Sequence, residues 1–158
     1  MTNMRRGFTM IELIFVIVII GILAVIALPK LAGTRTDAKV ASLLANTKTV
    51  VNDAKNYYTA QGESAWNSAK VADVTDIPLQ DSDCKNIDPT TADISNGGQQ
   101  YYLCGDDGSV VEVDFNATHL EIKNGADEDS LIAKAVQSDK AFIGMKHAHR
   151  LGGVGIKR

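Results

Sequence analysis

The chain has 158 residues, a formal net charge of −3, two cysteines and three histidines. It holds no internal repeat or low-complexity tract, and no C-x-x-C or paired His-Cys spacing supports a zinc site. It also lacks a G-x-S-x-G elbow, a phosphate-binding loop, an H-E-x-x-H pair and a cysteine beside a candidate base, so nothing in it supports an enzyme.

The chain opens with Arg5, Arg6 and Gly7, passes through Phe8 and Glu12, and then runs apolar to Pro29. As a helix, the 21 residues 8–28 span about 31 Å at roughly 1.5 Å per residue, against a hydrocarbon core of about 30 Å. Glu12 is out of place in such a segment, because a carboxylate there costs on the order of a few kcal/mol. A partner charge is the obvious reason to keep it. A secretory signal peptide accounts for the basic start and the apolar run. Against it, Glu12 interrupts the run, no A-x-A site follows, and Pro29 falls where the cut would lie. A plain membrane anchor accommodates the segment but leaves Glu12 and the Gly7-Phe8 junction as accidents. Gly21 and Pro29 punctuate the helix. The proline predicts a kink near its position, and the glycine weakens the helix by about 1 kcal/mol relative to alanine. Orientation does not follow from basic residues alone, since Arg5 and Arg6 on one side are matched by Lys30, Arg35 and Lys39 on the other.

Past Pro29 the pattern turns amphipathic. Val40, Leu43, Leu44, Thr47, Val50, Val51, Ala54, Tyr57 and Tyr58 recur at three- and four-residue steps, which predicts the second half of one helix over residues 8–61. Gly62 is its stop signal. Residues 62–158 form a head large enough for one small core. Residues 100–103, 109–115 and 118–123 predict three strands, with alternation at Val111, Val113 and Phe115 and again at Leu120 and Ile122. Asn116-Ala117 links the last two as a hairpin lacking the usual glycine. Residues 127–137 predict a short helix after an acidic start. The expected class is α+β, a long amino-terminal helix packed on a small antiparallel sheet. Its transmembrane half covers residues 8–29 and its amphipathic half residues 30–61.

Charge is unevenly spread. Residues 73–139 hold 15 acidic side chains and 3 lysines, whereas residues 140–158 hold five basic side chains and no acidic one. This basic tail, loosened by Gly152, Gly153 and Gly155, is a candidate for nucleic-acid phosphates through Lys146, Arg150, Lys157 and Arg158, but a solvated tail is the favoured account. His147 and His149 lack further ligands for a metal. Asp81, Asp83, Asp106 and Asp107 offer oxygen ligands for calcium without matching the EF-hand loop, and solvated turns explain them more simply. Cys84 and Cys104 are either bridged, closing a loop worth about 3 kcal/mol on the chain-entropy model, or free buried thiols.

The run Arg5-Arg6-Gly7-Phe8-Thr9-Met10-Ile11-Glu12-Leu13 resembles the prepilin cleavage and methylation motif of type IV pilins and type II secretion pseudopilins. The resemblance covers roughly residues 5–40. It implies that residues 1–7 are a leader, cut after Gly7 by a prepilin peptidase, and that the mature chain begins at N-methylated Phe8 with Glu12 as its fifth residue. It further implies a single-pass protein of the bacterial inner membrane with a periplasmic head, polymerised by an assembly platform and its ATPase into a filament of like subunits. Pilins of this kind often carry a disulfide, usually nearer the carboxyl terminus than Cys84 and Cys104, and some pseudopilins hold calcium in a head loop. Phe8 and Glu12 are then assembly residues. The amine of an incoming chain would meet the carboxylate of its neighbour, an attraction of roughly 4 kcal/mol at 4 Å and an effective dielectric of about 20, before desolvation. In this family the stretch between Gly21 and Pro29 can lose helical bonds on assembly. Residues 28–33 and 37–40 resemble the secretion-type pseudopilins, although the Tyr-Pro-Thr-Thr turn expected after the helix of a major pseudopilin is missing. The expected function is therefore a secretion-type pseudopilin or prepilin, with a type IV pilus or DNA-uptake pilin as the alternative. The rival of another class is a monomeric membrane-anchored module binding metal or DNA.

Overall fold

The computed structural model describes residues 7–94 and 99–152. In chain order they form α1 (Met10–Trp66), α2 (Val71–Val74), β1 (Gln99–Cys104), β2 (Ser109–Phe115), β3 (His119–Asn124), α3 (Leu131–Ser138), α4 (Lys140–Met145) and β4 (Ala148–Arg150). The class is α+β, with one antiparallel sheet in the order β1-β2-β3-β4. Two compact units divide the chain, one ending at Asp37 and the head beginning at Ala38.

In the first unit α1 is helical through Gly21 and Pro29. Its backbone leaves helical dihedrals at Gly62, with φ 80° and ψ 176°, a region that is essentially glycine's alone. The expected stop at Gly62 is thus a break, after which helical turns resume as far as Trp66. That extra turn delivers the Trp66 indole into the head, where it is fully buried and its Nε1–H donates to the Asn116 carbonyl at 3.0 Å. Phe115, Tyr57 and Tyr58 stand around it with ring centroids 5.8–6.3 Å away.

The head core is built on the amphipathic stripe of α1. Leu43, Thr47, Val50, Val51 and Ala54 are buried along it, the three- and four-residue spacing that keeps one helix face in contact with a sheet. Thr47 is the polar member, and its hydroxyl donates to the Leu43 carbonyl at 2.7 Å, so burial leaves it satisfied. Against this stripe β2 supplies Val111, Val113 and Phe115, β3 supplies Leu120 and Ile122, and α3 supplies Ile132 and Val136.

Register follows the alternation. Val113 stands opposite Tyr101 on one side and Ile122 on the other, while Phe115 faces Leu120. The link between β2 and β3 closes without glycine, through Asn116 N–H donating to the His119 carbonyl at 2.9 Å. After β3 the chain passes so near Ser109 that a Cβ at position 125 would collide with the Ser109 carbonyl. Gly125 is required by that close approach. On the outer face of the sheet Lys123 gathers Asp114, Glu121 and Glu112 at 2.8, 3.3 and 3.6 Å. The Asp114 hydrogen bond, foremost, holds the lysine well above its usual pKa.

Two stretches of the later head differ from the sequence-based expectation. α3 starts at Leu131 rather than at residue 127, because Asp127 accepts backbone bonds from Asp129 and Ser130 and so closes a turn first. Ser130 then caps the helix, accepting from Ala133 N–H at 3.1 Å. The stretch after residue 139, expected as a loosened basic tail, folds as far as it is described. Asp139 caps α4 by accepting from Ala141 N–H at 2.7 Å, Phe142 is fully buried, and β4 adds a fourth strand beside β3.

Candidate processing and assembly segment

Phe8 is 87% exposed, and behind it Ile11, Phe15, Ile19 and Leu23 each expose more than half their surface. Leucine, isoleucine and phenylalanine in such density are ordinarily interior residues. Here they stand exposed. The helix is long and apolar enough to cross a membrane.

The start of this helix is sealed by a device that the spacing Thr9-x-x-Glu12 encodes. Glu12 Oε2 accepts from the Thr9 backbone N–H at 2.8 Å and from the Thr9 hydroxyl at 2.7 Å, while Glu12 N–H donates to Thr9 Oγ1 at 3.3 Å. That reciprocal pair is a capping box, which satisfies donors that a helix start otherwise leaves open. The negative carboxylate also suits the positive end of the helix dipole. Both bonds to the carboxylate fall on Oε2; Oε1 takes no donor among the described residues. Thr9, which bonds Glu12, lies beyond the Gly7-Phe8 junction, so a cut there leaves the box whole. Sequence inspection passed over this role of Thr9, although a Thr followed three residues later by Glu ahead of an apolar run is its signature.

In the head, Cys84 and Cys104 form a disulfide with Cα atoms 5.9 Å apart. Free thiols are thereby excluded. Gln80 reinforces the same junction: its backbone pairs with Tyr102 in both directions, its side-chain oxygen accepts from Cys104 N–H at 3.2 Å, and its amide donates to the Cys84 carbonyl at 3.3 Å. Cys84 itself holds φ 60°, the left-handed region a non-glycine residue rarely adopts. The covalent bond and the Gln80 ladder fasten the 80–86 turn against the edge of β1.

The acidic candidates for calcium are engaged separately. Asp81 Oδ1 accepts from the backbones of Asp83 and Lys85 at 3.0 and 2.9 Å. Asp83 pairs with Lys85 at 3.4 Å, and Asp106 pairs with Lys39. Among the described residues Asp107 joins neither pairing, and no three carboxylates, imidazoles or thiols gather in a metal-holding arrangement. His147 and His149 stack with ring centroids 4.0 Å apart, but His149 is buried and its Nε2–H donates to the Met145 carbonyl at 2.8 Å. Burial, foremost, pushes the His149 pKa down, and His147 and Lys55 add to that. Of the basic candidates, Lys146 and Arg150 are exposed at either end of this histidine pair. Arg5, Arg6, Lys157 and Arg158 lie outside the described residues.

Residues 2–28 match the family model of the prokaryotic N-terminal methylation motif. A fimbrial protein of Neisseria meningitidis serogroup A is 39% identical over 79 residues, covering 49% of this chain and 46% of the relative. A fimbrial protein of Neisseria meningitidis serogroup B is 30% identical over 88 residues, covering 56% and 52%. The chain thus spans about half the length of the curated relatives it matches. No solved structure matches it. With its methylation motif, its exposed apolar helix, its disulfide-bonded α+β head and its likeness to two fimbrial proteins, the chain is similar to type IV pilin-like proteins.

Proposed function

We propose that the chain is a structural subunit of a type IV pilus-like filament, polymerised from the inner membrane after a prepilin peptidase cuts between Gly7 and Phe8 and methylates Phe8. One observation carries this reading: a long helix with exposed apolar side chains and one carboxylate at its entrance, within a methylation motif. Lipid covers such a helix before assembly, and the helices of neighbouring subunits cover it afterwards.

Glu12 has a part in both states. Before assembly Oε2 is occupied by the Thr9 cap and the carboxylate caps its own helix. In the filament the open Oε1 receives the Phe8 amine of a neighbouring subunit, one turn from that subunit's own Glu12. The attraction of roughly 4 kcal/mol before desolvation then helps to set the axial register. The disulfide supports a head in the periplasm, since such bonds persist in oxidising compartments. An assembly platform and its ATPase supply the work of extracting the helix from lipid.

The two fimbrial relatives favour a surface pilus. Residues 28–33 and 37–40 favour the second reading, a secretion pseudopilus, in which filaments stay within the envelope. Glu12→Leu tests what the two share. Membrane insertion and head folding are expected to persist while filament yield falls to background by electron microscopy of sheared and envelope fractions. Unchanged filament yield would remove the role given to Glu12 and favour the monomeric anchor.

A further inference from the structure

The head carries a second bare apolar feature, and it has a counterpart on the same molecule. At the start of α3 Leu131 is 77% exposed, although Ile132 and Ala133 beside it are buried. Exposed Glu128 and Asp129 precede it, the Asp129 carboxylate pairing with Lys134 at 3.8 Å. The result is an acidic knob with an apolar tip. Elsewhere on the head a groove of about 510 Å³ lies between α1 and α4. Leu44, Val51 and Met145 give it an apolar floor, and Lys48 and Lys55 stand on its wall. No groove residue belongs to the knob.

We propose that this groove receives the Glu128-Asp129-Leu131 knob of a second copy of the chain. Charge is complementary: acidic side chains flank Leu131 and lysines line the groove. Leu131 meets Leu44 and Met145, while Glu128 and Asp129 approach Lys48 and Lys55. Because knob and groove are different surfaces, the contact is head-to-tail, and a head-to-tail contact whose rotation does not close generates an open helical filament. One leucine and four charges lie far below the roughly 1,200 Å² of a stable pairwise interface. The contact therefore forms between heads whose amino-terminal helices are already bundled, where local concentration replaces intrinsic affinity. The inference rests on the filament reading and adds to it a specific head surface.

Site-specific photo-crosslinking of the full-length chain in cells that assemble it is the test. With p-benzoylphenylalanine at position 131, irradiation is expected to give a ladder of dimers and larger species, with the attachment mapped by mass spectrometry to residues 44–55 or 141–145 of another copy. In parallel, the double variant Lys48→Glu, Lys55→Glu is expected to lower filament yield about tenfold, and adding Glu128→Lys and Asp129→Lys to restore most of it. Rescue by reversed charge is a result that simple misfolding does not produce. Filaments whose crosslinks map elsewhere, or to a different protein, overturn the groove assignment and leave the filament reading intact. Crosslinked species that stop at a dimer overturn the head-to-tail geometry. A normal chain that forms no filaments at all removes both.

Discussion

Residues 8–31 and the head are made of the same apolar side chains, with opposite results. In the first region Ile11, Ile19, Leu23 and Leu31 are all more than half exposed; in the second, Val50, Val113, Leu120 and Ile122 are at most 1% exposed. The head completes its own core by folding. The amino-terminal helix keeps its apolar side chains exposed, and under the proposed reading lipid or other copies cover them. A protein can therefore divide its hydrophobic free energy, using one part to fix its own shape and keeping the other for its surroundings.

A matched pair of truncations tests that division most strongly. Ile122→Ala removes the same atoms as Ile19→Ala. In the head it is expected to cost about 2–5 kcal/mol, because a cavity is left behind. In the exposed helix it is expected to change the unfolding of the micelle-bound chain by less than about 0.5 kcal/mol. Denaturant titration of both variants in the same detergent reads the difference, and equal costs would break the comparison.

The disulfide sharpens it next. Replacing Cys84 and Cys104 together with serine should destabilise the head by about 3 kcal/mol, given a sequence separation of 20. The same change should leave membrane insertion and leader cleavage untouched. Circular dichroism on melting, with membrane fractionation alongside, separates the two readouts.

The smallest effect expected is pH-dependent and confined to the head. Burial lowers the His149 pKa below its ordinary value of 6.5, so below that value the unfolded chain takes up a proton that the folded head resists. Stability from this group is complete above about pH 6.5 and declines as pH falls through it. The groups facing it, Lys55 and His147, add to that lowering. Melting temperatures between pH 7.5 and 5.5 should fall less in His149→Gln than in the unsubstituted chain, and parallel curves would discard the effect.

Much of this arrangement was legible in the sequence, and its limits have physical causes. The α1 stripe from Val40 to Tyr58 and the alternation in residues 109–115 stood out because each buries one face of a regular element, which forces a period on the residues. β2 accordingly lies where it was expected. Elements too short for a period did not stand out. β4 has three residues and α4 six, and both are fixed by tertiary contacts, Phe142 in the core and His149 opposite Leu120. The start of α3 was misplaced because an acidic residue before a helix suits either a first turn or the loop leading to it. Asp127 takes the second role. In the candidate site the motif points to Gly7, Phe8 and Glu12, whereas the Thr9 cap was hidden behind the louder charge of Glu12. The knob at Leu131 was invisible, since a helical pattern does not say which apolar residue is left outside.

The measurement that tests the account most directly is an intact mass and amino-terminal sequence of the protein recovered from its native membrane. The account predicts a chain that begins at N-methylated Phe8. A chain still beginning at Met1, or one beginning beyond Ala27, would contradict it.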